Sequence, residues 1–344
     1  MAARVDNPVP GLVVIDKPQG ITSHDVVSKV RRLAATRKVG HAGTLDPMAT
    51  GLLVLGIGKA TKLLTWVTGD SKSYQATIRL GATTTTDDAE GEYAHMAGCL
   101  QLGERELETA IAKLRGTIQQ VPSTVSAIKV NGKRAYALAR AGQEVHLKAR
   151  TVTIDRFEVV GPILHTTAQL SDDADAEAIP VVDVQVEVDC SSGTYIRALA
   201  RDLGQDLGCG AHLTALRRTR VGQFCIEDAL TLEELEERSA PILERGHQPD
   251  PSEAGHSRVP IIDLADAVTA MFPILELDAD EAGRFVHGQA PRRSRAHIEA
   301  LQQPNDKGNV ATRYAAVGPN SQVLGLVEID NGRLKTTLVF QGDH

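Results

Sequence analysis

His41 and Asp46 lie in the glycine-rich segment KVGHAGTLDP, residues 38 to 47, and are the first candidates for chemistry in this chain. Glycines on both sides of His41 let the backbone come close to a flat or bulky ligand, and Pro47 restricts the chain directly after the carboxylate. A carboxylate on such a turn can act as a nucleophile or a general base, and an imidazole can stack on a ring or hydrogen-bond to it. The same residue types are also typical of a tight turn with an Asx-type hydrogen bond. Taken alone, the segment leaves both interpretations open.

The sequence contains no complete motif for phosphate binding, for metal binding or for a disulfide framework. The stretch GIGKAT, residues 56 to 61, resembles the end of a phosphate-binding loop, but Leu53 stands where that loop needs glycine and Ala60 where it needs a hydroxyl residue. The eleven histidines form no H-x-x-x-H pair with a nearby acid, which argues against a metal site. The four cysteines form no C-x-x-C pair, so we expect small buried or half-buried thiols rather than a disulfide framework or a zinc site.

Hydrophobic periodicity predicts the elements that hold the glycine-rich segment. Residues 11–15 and 52–55 read as strands, and 73–80 alternates with Tyr74 on its apolar side, which indicates a half-buried strand. Ser23 is expected to cap a helix with its apolar residues on one face, and residues 60–67 predict a short helix.

Further along the chain, the clearest strand is the valine alternation of residues 182–188, followed by a turn and a helix over 195–207. Another helix is predicted over 106–114. Thr231 with Glu234 has the capping-box pattern for the start of a further helix. The acidic stretch 171–177 is interpreted as a mobile loop. From Phe272 onward the pattern becomes short strands, at 314–317, 323–327 and 334–340.

Length and charge limit the class of protein. A chain of 344 residues predicts one large or two unequal domains, and it has neither a secretory signal nor an apolar run of membrane-spanning length, so we expect a cytoplasmic protein without a membrane partner. The net charge is −7 but uneven, being +6 over residues 1–80, +5 over 125–150 and −12 over 225–281. Locally basic surface could bind a nucleic acid, although ordinary solvated faces would have the same composition.

Five ordered segments together resemble one family. They are GLVVIDKPQGITSHDVV, KVGHAGTLDPMATGLLVLGIGKATKL, YQATIRLG, SAIKVNGKRAYALARAG and SSGTYIRALARDLG with AHLTALRRTRVG. In this order, over about residues 11 to 235, they are similar to the bacterial tRNA pseudouridine-55 synthases, the TruB family. The resemblance implies an isomerase that converts a tRNA uridine to pseudouridine by flipping out the base, with neither cofactor nor metal.

The resemblance also implies residue roles. Asp46 corresponds to the attacking aspartate, His41 to the histidine that helps extrude and replace the base, and Tyr74 to the tyrosine that packs on the base and is implicated in removing the C5 proton. Tyr195 and Arg197 line the site, Arg197 pairs with the aspartate, and Leu216 lies against the flipped uracil. The positive charge of Arg197 would keep a buried Asp46 ionised. Lys17 is expected to have a structural or RNA-proximal role without direct chemistry.

The resemblance further implies the architecture and partners. We expect an α+β pseudouridine synthase fold, with a mixed, largely antiparallel central sheet flanked by helices, and a small β-rich C-terminal PUA-like domain. The predicted boundaries are 1–245 for the catalytic domain, with an RNA-binding thumb at about 122–150 that includes Lys129 and Arg134, 246–260 for a linker, and 261–344 for the C-terminal domain. The expected partner is the T-arm of tRNA, bound by a monomer without an obligatory protein partner.

Two rival functions share these features. One is a non-catalytic RNA-binding or tRNA-folding protein of the same fold, against which the intact Asp46, Tyr74 and Arg197 argue. The other is a synthase that acts on another RNA as part of a larger particle. Modification of an unmodified tRNA by the protein alone would distinguish them.

Overall fold

The computed structural model of the chain describes residues 9–123, 129–130, 133–134, 147–169, 178–244, 258–303 and 310–340. The predicted loop at 171–177 and most of the predicted linker, residues 246–257, lie outside these ranges. The strands are β1 Gly11–Lys17, β2 Val39–Ala42, β3 Thr50–Ile57, β4 Lys72–Leu80, β5 Thr83–Thr84, β6 Tyr93–His95, β7 Gly116–Gln120, β8 Lys129–Val130, β9 Lys133–Arg134, β10 Arg150–Val159, β11 Leu164–Gln169, β12 Ala178–Cys190, β13 Ala211–Val221, β14 Phe224–Cys225, β15 Ile262–Asp263, β16 Ile274–Glu276, β17 Arg313–Val317, β18 Val323–Asp330 and β19 Arg333–Val339.

The helices flank these strands. They are α1 Ser23–Leu33, α2 Leu64–Gly69, α3 Glu104–Ala112, α4 Ile196–Asp206, α5 Leu232–Glu244, α6 Leu264–Met271, α7 Ala279–Phe285 and α8 Arg295–Leu301, with 3₁₀ turns at Gly58–Leu63 and Ile226–Asp228.

A mixed sheet forms the centre of the molecule. Its strand order is β15-β1-β3-β13-β4-β12-β10-β7, with β2 on β3, β14 on β13 and β11 on β12. β3 and β13 run parallel, and the other neighbours are antiparallel. The predicted mixed, largely antiparallel sheet with flanking helices is therefore confirmed.

The apolar face of β4 is the one that the alternation predicts. Tyr74, Ala76, Ile78 and Leu80 are all buried, and they belong to one hydrophobic cluster with residues of α3 and α4. Tyr74 lies opposite Val188 of β12 and Arg218 of β13 in the sheet register. Helix α4 thus covers this side of the sheet and brings its first turn toward Tyr74.

The parallel pairing of β3 and β13 requires a glycine at position 51. Gly51 has φ +100°, and a Cβ atom there would lie 2.2 Å from the carbonyl oxygen of Arg218. Glycine lacks that atom and adopts this φ readily, so the two backbones can approach each other. This approach places the end of the glycine-rich segment beside β13.

A second sheet, β16-β17-β18-β19, forms the C-terminal part of the described chain. One hydrophobic cluster combines residues of the central sheet, among them Leu12 and Val54, with Ala315, Leu326 and Phe340 of the second sheet and its flank. The ring of Trp66 in α2 also contacts that of Phe272 edge to face, with centroids 6.3 Å apart. The two sheets therefore share apolar core, although the domain boundaries given above stay a prediction.

Some local predictions need correction. Thr22, not Ser23, caps α1, because the Thr22 hydroxyl accepts from the Asp25 amide and the Asp25 carboxylate accepts from the Thr22 amide. The strands predicted from 272 onward are interrupted by α7 and α8, which are too short to give a clear periodicity. The predicted capping box of Thr231 and Glu234 is confirmed. The cysteines are free, with Cys99 and Cys190 buried and Cys209 and Cys225 half-buried, as expected.

Candidate active site

Asp46 lies on the turn between β2 and β3, and hydrogen bonds fasten the residues on both sides of it. The Ser23 hydroxyl accepts from the Leu45 amide at 2.9 Å and donates to the Leu45 carbonyl at 3.1 Å. The Pro47 carbonyl accepts from the Gly20 amide at 2.9 Å. A carboxylate held on such a turn loses little conformational freedom when it reacts, which favours catalysis.

Lys17 also holds the Asp46 turn in place. Its side chain is fully buried, and Nζ donates to the carbonyls of Pro18 and Ile21, each at 2.8 Å, and of Pro47 at 3.4 Å. Burial lowers the pKa of the Lys17 ammonium to about 8. These contacts give Lys17 a structural role at the base of the Asp46 turn.

Arg197 in the first turn of α4 pairs with Asp46. Its side chain is 5% exposed, and Nε lies 3.1 Å from Oδ2 of Asp46. Nη1 lies 3.2 Å from Oδ2 of Asp88, which is 2% exposed, and donates to the Thr86 carbonyl at 2.9 Å. The predicted partnership of Arg197 and Asp46 is present, and sequence reasoning missed Asp88 as the second carboxylate on the same guanidinium.

The shared guanidinium explains the electrostatics of Asp46. Burial raises the pKa of the Asp46 carboxyl above its ordinary value; the charge of Arg197 opposes this, and the negative charge of Asp88 adds to it. Because the Arg197 guanidinium lies beside two carboxylates, it stabilises the negative charge of each less than it would stabilise that of a single partner. Asp46 therefore accepts a proton more readily than an exposed aspartate does.

A cavity of about 320 Å³ collects most of the predicted site residues. Asp46, Tyr74, Tyr195, Arg197 and Leu216 all line it. Its volume lies in the range of small-ligand pockets, and its walls combine apolar side chains with a few charged groups, as such pockets commonly do. The structure thus brings together residues from four separate stretches of the chain.

Tyr195 is positioned by a residue that sequence reasoning missed. Gln120 at the end of β7 is buried, and its amide group accepts from the Tyr195 backbone N–H at 2.9 Å and donates to the Tyr195 carbonyl at 3.1 Å. The two bonds fix the backbone directly before α4. They therefore also fix the start of the helix that carries Arg197.

Two further cations line the cavity and were not predicted. Lys72 at the start of β4 is 6% exposed, and Arg218 of β13 is 1% exposed. Arg218 donates from Nε to the Leu52 carbonyl at 2.7 Å and from Nη2 to the Gly43 carbonyl at 3.2 Å, and its positive charge favours ionisation of the nearby Tyr74 hydroxyl, whose pKa is raised by burial. Position in an alternating strand could have pointed to Lys72, because it falls on the buried face with Tyr74.

The remaining predicted residues lie elsewhere. His41 is in β2, half-buried and outside the cavity lining, with its ring 6.4 Å from that of His24 in an edge-to-face contact. Burial lowers the pKa of the His41 imidazole. Lys129 and Arg134 face each other across the β8–β9 pair, but their side chains lie outside the described part of the chain. Their predicted roles in RNA binding stay predictions.

Metal ligation and membrane insertion can be examined for the described ranges. Within them, no group of three or more histidine, cysteine, aspartate or glutamate side chains is arranged to hold a metal ion. No helix in the same ranges is both long and apolar enough to cross a membrane.

Two solved structures share this fold over nearly the whole chain. A chain of a Cbf5–Nop10–Gar1 complex matches with a TM-score of 0.65 and 22% identity, covering 96% of this chain and 85% of that one. A chain of an H/ACA RNP bound to a substrate RNA containing 2′-deoxyuridine matches with a TM-score of 0.63, 22% identity and the same coverage. At 22% identity, this similarity shows the fold alone.

The family models and the close relatives go further. Residues 31–196 match the TruB family pseudouridylate synthase N-terminal domain, and residues 197–248 match the tRNA pseudouridylate synthase B C-terminal domain. These matches, on this fold, identify the chain as a pseudouridylate synthase. A protein of Arthrobacter sp. (strain FB24) named tRNA pseudouridine synthase B is 49% identical over 96% of both chains, and one of Mycolicibacterium paratuberculosis with the same name is 49% identical over 96% of this chain and 98% of its own. The chain belongs to the TruB family.

Proposed function

We propose that this protein converts uridine 55 in the T-loop of tRNA into pseudouridine. The observation that carries the proposal is the ion pair of Asp46 and Arg197 in a cavity that also holds Tyr74 and Leu216. The name tRNA pseudouridine synthase B, borne by relatives at 47–49% identity in several organisms, supports tRNA as the substrate. The proposed cellular place is the cytoplasm, where tRNA is found.

The reaction is an isomerisation with a balanced set of bonds. The N1–C1′ glycosidic bond breaks, the base turns, and a C5–C1′ bond forms while the C5 proton leaves and N1 gains one. Asp46 supplies the carboxylate that attacks the nucleotide, and Arg197 favours its ionised form. Tyr74 packs on the base and takes part in proton removal in this proposal.

The target base must leave the folded loop before it can enter the cavity. Extrusion of a stacked base costs about a few kcal/mol, which stacking in the pocket and filling of the vacated place can offset. Tyr74 and Leu216 offer apolar contacts inside the cavity. His41 lies three residues before the cavity-lining Thr44, and in this proposal it fills the place that the base leaves.

RNA contacts outside the cavity follow the same reasoning. We assign the basic stretch around Lys129 and Arg134 to a thumb on the T-arm, and the C-terminal part to a PUA-like RNA-binding domain. The protein then acts as a monomer on tRNA without a protein partner. In this proposal the acidic region 225–281 faces away from the RNA, because phosphates would be repelled by it.

An assay with purified components tests the proposal. The full-length protein is incubated with an unmodified tRNA transcript, and pseudouridine is mapped by carbodiimide labelling and primer extension. We expect one modified position in the T-loop, and no product from a transcript with cytidine at that position. Asp46→Asn should abolish turnover and retain tRNA binding, whereas Asp183→Asn, which removes an ion-paired carboxylate on the polar face of β12, should leave turnover unchanged.

Two results would contradict the proposal. If wild-type protein binds the transcript but forms no pseudouridine, the chain is a binding protein of this fold. If pseudouridine appears in another RNA and not in the T-loop, the substrate assignment is wrong. Full turnover by Asp46→Asn would exclude the assigned nucleophile.

A further inference from the structure

Lys72 and Arg218 are buried cations in the cavity wall whose charge the catalytic pair does not use. Each lies more than 4.0 Å from every carboxylate within the described residues, whereas Arg197 pairs with two. Both contribute to the lining beside Tyr74. Asp46 lines the same cavity but is paired with Arg197, so the charges of Lys72 and Arg218 remain available to bind an anion.

The hydrogen bonds of Lys72 leave one donor for a ligand. Nζ donates to the carbonyls of Thr68 at 2.9 Å and Asp70 at 2.8 Å, at the end of α2. A lysine ammonium carries three N–H donors, and the described residues provide no third acceptor within hydrogen-bond distance. The bonds fix the ammonium in place, and the remaining N–H is available in the cavity.

Burial makes this arrangement costly unless negative charge enters. A buried ion without a partner loses its hydration, and burial together with the nearby charge of Arg218 lowers the pKa of the Lys72 ammonium to about 8. An anion bound in the cavity would stabilise the positive charge of Lys72 in place of the lost hydration. The site is therefore built to bind negative charge more strongly than a neutral group.

The proposed reaction creates such a charge on the base. If Asp46 attacks C1′, the N1–C1′ bond breaks and its electron pair stays on the pyrimidine, delocalised from N1 to O2 and O4. If Asp46 attacks C6, the electron pair of the C5–C6 double bond moves to C5 and O4. In the C6 route the N1–C1′ bond breaks afterwards and leaves its electron pair on N1, which gains a proton. In both routes the pair on the base forms the new C5–C1′ bond, the bond to Asp46 breaks and the C5 proton leaves.

We propose that Lys72 is a catalytic residue that donates its remaining N–H to a carbonyl oxygen of the uracil while the base carries negative charge. Arg218 is a positioning residue that holds the Gly43 carbonyl beside the same base. The inference rests on the proposed function. The other anion of an RNA substrate, a backbone phosphate, would be bound equally in the ground state and in the transition state.

Single-turnover kinetics separate these two anions. Lys72→Gln and Lys72→Met are compared with wild type, using excess enzyme and unmodified tRNA transcript, and the Kd for tRNA is measured by filter binding. Loss of one preorganised donor to a developing oxyanion typically lowers the rate by about 10²–10³-fold. We therefore expect a rate at least about 100-fold lower with Kd within about twofold.

Further variants distinguish chemistry from folding. Lys72→Arg should keep the charge and most of the rate, and Lys72→Ala should regain activity with added ethylammonium in proportion to its concentration, which a purely structural loss would not do. Lys113→Gln, which removes an exposed ammonium paired with Asp206, should match wild type. Thermal melting of each variant reports the part of the loss that comes from the carbonyl contacts at α2.

Different results would contradict the role of Lys72 and the proposed function. A Kd weakened tenfold or more with an unchanged bound rate would assign Lys72 to a phosphate and overturn the inference. An unchanged rate, or a loss that no amine rescues in a folded Lys72→Ala protein, would also overturn it. If wild type itself forms no pseudouridine, the proposed function fails, and the inference that rests on it falls as well.

Discussion

A single guanidinium, that of Arg197, is bonded to both Asp46 and Asp88, and burial together with this sharing raises the pKa of the Asp46 carboxyl. The raised pKa of Asp46 means that its reactive, ionised form is present above that pKa and is lost as pH falls through it. Activity should therefore decline on the acid side at a higher pH than an exposed aspartate would give.

Asp88→Asn tests this sharing. The amide keeps an oxygen that can accept from Thr86 and Glu90, but it removes the negative charge beside Asp46 and leaves Arg197 to one carboxylate. We expect the acid limb of the pH–rate profile to move to lower pH, measured under single-turnover conditions from pH 4 to 8. A limb that stays in place, or moves to higher pH, would show that Asp88 does not control the proton affinity of Asp46.

The Ser23 hydroxyl positions the Asp46 turn through Leu45. It is buried and makes two bonds to Leu45, so Ser23→Ala removes both and leaves the Leu45 amide without its partner. We expect a loss of about 1–3 kcal/mol in the free energy of unfolding and a lower kcat with an unchanged Kd for tRNA. Ser28→Ala is the control, because that hydroxyl is exposed on the same helix and donates to the His24 carbonyl. Equal effects of the two variants on kcat would contradict the positioning role.

Local sequence patterns predicted some of these residues and not others. Tyr74 was found because a strand with period two places it on the buried face, and Arg197 because the resemblance supplied its role. Asp88, Gln120 and Ser23 act through partners 22 to 109 positions away, and no local rule reports such pairs. The cap of α1 was misassigned for the same reason, since Thr22 and Ser23 both carry hydroxyls and the contact of Ser23 with Leu45 decides between them.

Among the elements, the parallel pairing of β3 and β13 determines where the Asp46 turn ends. Gly51→Ala would place a Cβ atom against the Arg218 backbone in a conformation that favours glycine. We expect a destabilisation of about 3 kcal/mol or more, measured by urea unfolding. Gly69→Ala in α2 is the matched control, because a Cβ atom there meets nothing within 4 Å, and its effect should stay within about 1 kcal/mol. A mild effect at Gly51 would mean that the two strands can separate without cost.

At the scale of the whole molecule, the shared hydrophobic cluster predicts cooperative unfolding of the two sheets. Trp66 is the single tryptophan of the chain and contacts Phe272, so its fluorescence reports the region where the sheets meet. We expect the urea transitions followed by Trp66 fluorescence and by far-ultraviolet circular dichroism to coincide. Two separated transitions would show instead that the C-terminal sheet unfolds on its own. Phe272→Ala should shift the fluorescence and lower the midpoint.

The parallel pairing of β3 with β13 also has a consequence for synthesis on the ribosome. Thr50 pairs with Arg217, and Gly11 of β1 pairs with Asp263, so each early strand needs a neighbour that is translated much later. Contacts between such distant positions form slowly, and until then the pair of β1 and β3 lacks β13 on one side and β15 on the other. The Asp46 turn, although encoded near the start of the chain, acquires its cavity only after β13 has emerged. A nascent chain that stops before residue 211 thus contains Asp46 but lacks the β13 residues Leu216 and Arg218 that line the cavity around it.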